Sequence, residues 1–288
     1  MEVTVFAQQA LCGLTNGMAY AMFAIGLTLI FGVMGTLNIA HGEIYMLGAL
    51  AFSSFVTYLG INYLLAALIT LALLGVAGIA ISRIAVLPLL NSPNPLLSVL
   101  LSTIGVSIFL TNIALSIWGA STVPLEFPLR GGIPVGAMEL SWARIAISGV
   151  SVVVIVTLHL FLSRTLMGRK IRAVAQNRIG ARLVGINLDR EYSLAFGIGC
   201  ALAALAGILS APVWVASPYL GQSMILTGFV VVIVGGLGSI RGALVVGLLL
   251  GILQSIFGYF LSVYYRDAFT FAVLIITLLL KPGGLFQR

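Results

Sequence analysis

Long runs without a single charged side chain decide the solvent in which this chain can fold. Residues 11–34, 63–81 and 96–118 contain no Asp, Glu, Lys or Arg. An α-helix rises 1.5 Å per residue, so about twenty apolar residues cross the roughly 30 Å of bilayer hydrocarbon. Nine runs are candidate spans: 11–34, 44–58, 63–81, 96–118, 142–162, 192–215, 224–237, 243–263 and 268–280. Residues 224–237 and 268–280 are too short to cross comfortably, and 44–58 is short as well. Only 7% of the residues are charged, against about 25% in soluble domains, so a water-facing surface cannot be built. A transmembrane barrel would alternate polar and apolar residues, and residues 145–162 and 195–211 do not. The expected fold is all-α, a polytopic helical membrane protein of about eight or nine segments. A broken helix is expected near residues 38–43.

The few charges set an orientation. Half of the fourteen basic residues fall in residues 164–191, namely Arg164, Arg169, Lys170, Arg172, Arg178, Arg182 and Arg190. With that loop inside and the spans alternating from it, Arg83, Arg241, Lys281 and Arg288 are also inside. Arg130, Arg144 and Arg266 are outside, which matches the positive-inside rule. The N-terminus is then outside and the C-terminus inside. This placement reads the net charge of +7 as a membrane feature rather than a nucleic-acid footprint. Glu2, with no Lys or Arg before the first apolar run, is unlike a signal peptide, so the first helix is expected to remain.

Between spans, Pro88, Pro93 and Pro95 mark a firm boundary at residues 87–95. The outer segment 119–141, with Pro124, Pro128, Gly131, Gly132 and Pro134, reads as an irregular or hairpin-like loop. Nothing indicates a second domain. Gly35 to Glu43 and Gly238 to Gly242 each precede a Gly-containing apolar run, a faint echo compatible with an internal repeat or with chance. Gly197, Gly199, Ala203 and Gly207, like Gly235, Gly236 and Gly238, are spaced for close helix contact or for a flexible gate. Cys12 and Cys200 read as helix-packing thiols, and His159 as an interfacial polar residue.

Catalytic sets are missing. The two lysines, Lys170 and Lys281, do not close a glycine-rich phosphate loop, so the chain does not hydrolyse ATP by that route. His41 and His159 are the only histidines, which excludes a multi-histidine metal site. The cluster Asn38, His41, Gly42 and Glu43 stands out between two apolar runs. Such polar groups must reach water or lie in a protein cavity. Free N–H groups at the following helix start would favour an anion such as a carboxylate, while Glu43 there could instead complement the dipole itself. Three readings stay open: a plain loop, the hinge of a substrate path, and direct substrate contact.

In the basic stretch, Ile171, Ala175, Ile179 and Leu183 recur every fourth residue, with Ile186 next. This predicts one short amphipathic helix ending at Gly185. It could lie on anionic lipid or dock a cytoplasmic partner.

These motifs together carry a resemblance. Gly13-Leu-Thr-Asn-Gly-Met-Ala-Tyr-Ala21 and Leu37-Asn-Ile-Ala-His-Gly-Glu-Ile-Tyr-Met-Leu-Gly-Ala49 resemble the opening of LivH-type permeases of bacterial branched-chain amino acid ABC importers. Arg172-Ala-Val-Ala-Gln-Asn177 with Ala181-Arg-Leu-Val-Gly-Ile-Asn187 resembles the cytoplasmic coupling segment of that family. Gly235-Gly-Leu-Gly-Ser-Ile-Arg-Gly-Ala243 and Lys281-Pro-Gly-Gly-Leu-Phe286 also fit. The chain departs from the Glu-Ala-Ala-Gly pattern of many importer permeases: Ile179-Gly-Ala181 precedes Gly185 with no acidic residue. The resemblance implies one permease domain over residues 1–288, with residues 164–191 as its coupling loop. Ile171, Ala175, Ile179, Ala181, Leu183, Gly185 and Ile186 would meet the ATPase. It further implies an inner-membrane transport subunit, not an enzyme, with no cofactor of its own and with ATP and Mg bound by partner ATPases. Implied partners are a second, LivM-like permease, two cytoplasmic ABC ATPases, a periplasmic substrate-binding protein and the lipid bilayer. A urea or short-amide permease of the same superfamily and an ion-coupled secondary transporter remain alternatives. A membrane enzyme lacks a catalytic set.

Overall fold

Hydrogen bonding inside a bilayer leaves helices as the way to satisfy the backbone, and helices make up nearly all of this molecule. The computed structural model describes residues 2–135, 138–260, 262 and 265–286. Gly136, Ala137, Val263 and Arg288, included in the readings above, lie outside the described residues.

The helices are α1 (Glu2–Met34), α2 (His41–Thr57), α3 (Tyr63–Ile81), α4 (Pro95–Trp118), α5 (Trp142–Arg164), α6 (Leu166–Gln176), α7 (Arg178–Leu183), α8 (Leu188–Ser210), α9 (Leu220–Gly235), α10 (Ile240–Phe260) and α11 (Arg266–Leu280). Each of the nine expected spans contains a helix, but the run expected to continue to Val215 stops at Ser210, where α8 gives way to a turn. Six helical stretches are long and apolar enough to cross a membrane; α2, α9 and α11, of 17, 16 and 15 residues, are the short ones. Between α4 and α5, strands β1 (Gly132–Val135) and β2 (Met138–Ser141) pair antiparallel, Gly132 opposite Ser141. Residues 119–141 are thus irregular up to Gly131 and then form a paired-strand hairpin, the two forms that their Pro and Gly content suggested.

The boundary at residues 87–95 is softer than its prolines predict. Helix α3 continues through a π-helical turn, Ser82–Val86, into a 3₁₀ turn, Leu87–Asn91. Pro88 sits in the first turn of the 3₁₀ segment, where its missing N–H costs nothing. Helix α8 starts four residues before the expected Tyr192, because Asn187 Oδ1 accepts from Arg190 N at 3.1 Å and caps it there.

Packing is graded from the centre outward. Helices α1 and α8 are mostly buried, whereas α3, α4 and α5 leave most of their apolar surface exposed, as lipid-facing helices do. Small residues let the central helices touch backbone to backbone. A Cβ on Gly251 of α10 would lie 2.3 Å from Gly17 Cα of α1, and one on Gly207 of α8 would lie 2.0 Å from the Tyr45 carbonyl of α2. The basic residues segregate to two ends. Arg172 and Arg241 share one cleft, and Arg130 and Arg144 share another beside the hairpin. We call these ends the basic side and the hairpin side.

The echo between Gly35–Glu43 and Gly238–Gly242 is not a repeat of structure. The second is a tight turn between α9 and α10, with Gly236 and Gly238 at φ 94° and 85° and Ser239 N donating to Gly236 O at 2.9 Å. The counterpart of the α1–α2 break is instead residues 211–219, between α8 and α9. Both units are a long helix, a non-helical return and a shorter helix, and they run in opposite directions.

Candidate translocation site and coupling loop

Helix α1 ends at Gly35, whose φ of 65° suits glycine. Residues 36–40 then turn back into the protein instead of leaving it. Two rulers give the depth. His41 Nε2 donates to the Phe23 carbonyl at 3.3 Å, eleven residues and so about 16 Å from the basic-side end of α1. Ile39 N donates to Thr103 Oγ1 at 3.3 Å, eight residues and so about 12 Å into α4. Helix α2 therefore starts near the middle of the slab. It rises parallel to α4, tied by Ser107 Oγ donating to Glu43 Oε1 at 3.0 Å and Trp118 Nε1 donating to Ser54 Oγ at 2.6 Å.

The structure brings Asn38, His41, Gly42 and Glu43 together, all buried. His41, Gly42 and Glu43 form the first turn of α2, and Ala40 offers it no side-chain cap. The His41 ring packs on Phe23 with centroids 4.7 Å apart. Gly42 meets the start of α9: a Cβ there would sit 2.5 Å from the Gly221 carbonyl. Both short helices thus begin against each other inside the slab. Asn38 Oδ1 and Nδ2, His41 Nδ1 and Glu43 Oε2 have no hydrogen-bond partner. Buried polar atoms are nearly always paired, so four without a partner in one cluster are unusual. Thr103, Ser107, Phe23 and Gly221 escaped the sequence reading. The available signal was the i, i+4 series Thr103, Ser107 and Thr111 along one face of α4.

The basic loop differs from the single helix expected of it. Asn177 breaks the run at φ −152°, ψ 104°, and its Oδ1 accepts from Gly180 N at 2.9 Å to start α7 afresh. The every-fourth-residue stripe is thereby split. Ile171 is buried together with Val174 and Ala181, Ile186 packs partly against the core, and Ala175 is exposed. Ile179 and Leu183 point away from the molecule, 75% and 82% exposed, beside Val184 at 76%. Gly185 ends the segment as expected, at φ 82°, with Ile186 N donating to Ala181 O at 3.0 Å.

Arg178, the first residue of α7, connects the two regions. Its guanidinium carbon stands 5.9 Å from the Tyr192 ring centroid, within cation–π range. It also covers Gly35, where a Cβ would lie 2.7 Å from Nη2. An exposed apolar tip and a buried polar break are thus one residue apart.

Broken helices meeting within the slab, a polar cluster at their junction and an outward apolar contact on the basic side define a polytopic transport permease. A family profile for branched-chain amino acid transport system permease components matches residues 9–278. The permease protein LivH of the high-affinity branched-chain amino acid transport system of Escherichia coli K12 is 37% identical, over 98% of this chain and 96% of its own. BraD of the corresponding Pseudomonas aeruginosa system is 34% identical over 100% and 97%. Among solved structures, PsaBC from Streptococcus pneumoniae in complex with Fab superposes with a TM-score of 0.51 at 14% identity, covering 98% of this chain and 94% of that one, a likeness of fold alone. The chain belongs to the branched-chain amino acid transport permease family.

Proposed function

We propose that residues 1–288 form one inner-membrane permease domain of an ATP-driven importer, which passes branched-chain amino acids delivered by a periplasmic binding protein. The contact of Arg178 with Gly35 carries this reading. Ile179, Leu183 and Val184 offer an apolar surface on the basic side to a soluble partner. Movement of that surface reaches the start of the residue 36–40 return through a single side chain. Asn38, His41 and Glu43 then exchange partners, so that the junction of α2 and α9 opens to one side and afterwards to the other. A mostly apolar lining suits a zwitterion that must be released rather than held.

The working assembly is this chain with a LivM-like permease, two cytoplasmic ATPases that bind ATP and Mg, and the binding protein on the hairpin side. The N-terminus is periplasmic and the C-terminus cytoplasmic. This chain is a transport subunit without cofactor or catalytic site. Leucine uptake into proteoliposomes holding the full assembly tests the reading. Uptake should require ATP and the binding protein and should exceed urea uptake. Uptake that persists without the ATPases and collapses with a proton gradient would reject it.

A further inference from the structure

On the hairpin side of the Asn38–Glu43 cluster lies a cavity of about 270 Å³, at the small end of the roughly 300–1,000 Å³ typical of ligand pockets. Tyr20 and Tyr45 line it, one helical turn above Phe23 and His41, together with Trp214, Leu220, Met224 and the start of α11. We propose that this cavity is a transient binding site for a zwitterionic amino acid with an apolar side chain, the last station before the α2–α9 junction. The proposal rests on the importer reading above and adds the residues that would hold the substrate.

Three features select that chemistry. Arg266 and Asp267 stand side by side on the wall, one fitted to a carboxylate and the other to an ammonium group. Among the described residues the only salt bridge is Arg130 with Glu126, so neither charge is spent on a protein partner. The Arg266 Nε–H has no hydrogen-bond partner among the described residues, and the fully buried Tyr45 hydroxyl has only Ser210 near it. Tyr20 and Trp214, with ring centroids 5.9 Å apart, and Met224 line the same cavity and give it apolar surface for a branched side chain, beside the polar Ser223 and Thr227. Asp267 is exposed and Arg266 half-buried, so both stay partly hydrated and the grip is weak, as a passing substrate needs. The floor is shut. Phe23 packs edge-on to Tyr45 at 5.7 Å, and its ring occupies the space a Cβ on Gly228 of α9 would need, 2.3 Å from Cε1. Phe23 thus packs between Tyr45 on the cavity wall and His41 of the polar cluster, and a shift of α9 would move it.

The test uses the complete transporter in proteoliposomes with loaded binding protein. A diazirine analogue of leucine, photolysed during turnover, should label Tyr20, Tyr45, Trp214 or Met224, and excess leucine should prevent it. Labelling confined to other parts of the chain overturns the proposal. In parallel, Arg266→Gln and Asp267→Asn should lower leucine moved per ATP hydrolysed about tenfold, with Arg266→Lys partly restoring it. An unchanged ratio in both variants, including the case where uptake and hydrolysis fall together, assigns the pair a structural role and overturns the site. Wild-type uptake separates the two readings: normal leucine uptake with these failures sinks the site alone, whereas no leucine uptake sinks the importer reading and the site with it.

Discussion

At the scale of single residues, Glu43 is divided between two tasks. One carboxylate oxygen accepts from Ser107, and the other, like both ends of the Asn38 amide, has no partner. Glu43→Gln keeps a group able to accept from Ser107 and removes the charge. Asn38→Ala removes an amide that no bond in this conformation holds, so its loss should cost little stability. Both variants should insert and retain their ATPases, with melting midpoints near the parent's and uptake lowered about tenfold. Variants that assemble and transport at the normal rate would reduce the cluster to a plain loop. Gly207 is a contrasting case, because it serves packing. Gly207→Ala would push its Cβ into the Tyr45 carbonyl and should destabilise the protein by about 1–3 kcal/mol, read as a lower melting midpoint in detergent. The small-residue spacing on α8 was legible in the chain, but its partners were not. Gly197 meets Gly75 and Ile79, Gly199 meets Gly26, and Gly207 meets Tyr45. Neighbours on three different helices cannot be read from one spacing.

Elements raise a different question, because the basic loop is one amphipathic stripe in sequence and two helices in space. A period of four is local and visible. The break at Asn177 is set by where Val174 and Ala181 must be buried, and Asn is equally at home capping a helix or lying on its surface. The consequence is a sharp division among the apolar residues of the loop. Ile179→Asp and Leu183→Asp alter exposed positions, where substitutions shift stability within about 0.5 kcal/mol. They should leave insertion intact and reduce co-purification of the ATPases. Ile171→Asp would bury a carboxylate at a site 1% exposed and should fail to fold instead. Arg178→Ala should keep the ATPases bound while lowering leucine moved per ATP, because it leaves the apolar tip and removes the contact over Gly35. Undiminished ATPase binding in both Asp variants would leave the loop as a marker of orientation only.

The whole molecule shows the same division between what is written locally and what assembly decides. A membrane-impermeant maleimide should label Glu126→Cys from the periplasm and Leu183→Cys only from the cytoplasm; the reverse pattern would invert the proposed orientation. By itself, the amino-acid sequence determined the solvent, the helices and the segregation of charge. Apolar run length, helix breakers and basic residues act over one helix at a time, and without the alternation of a barrel the bilayer leaves the backbone only the helix. Only the tertiary structure decided that residues 36–40 return to mid-slab, that α8 and α9 mirror α1 and α2, and that Arg266 and Asp267 face Tyr20 and Trp214. Each of those facts depends on contacts between residues far apart in the chain, several of them formed where glycines let backbones touch. No local period encodes which glycine will meet which.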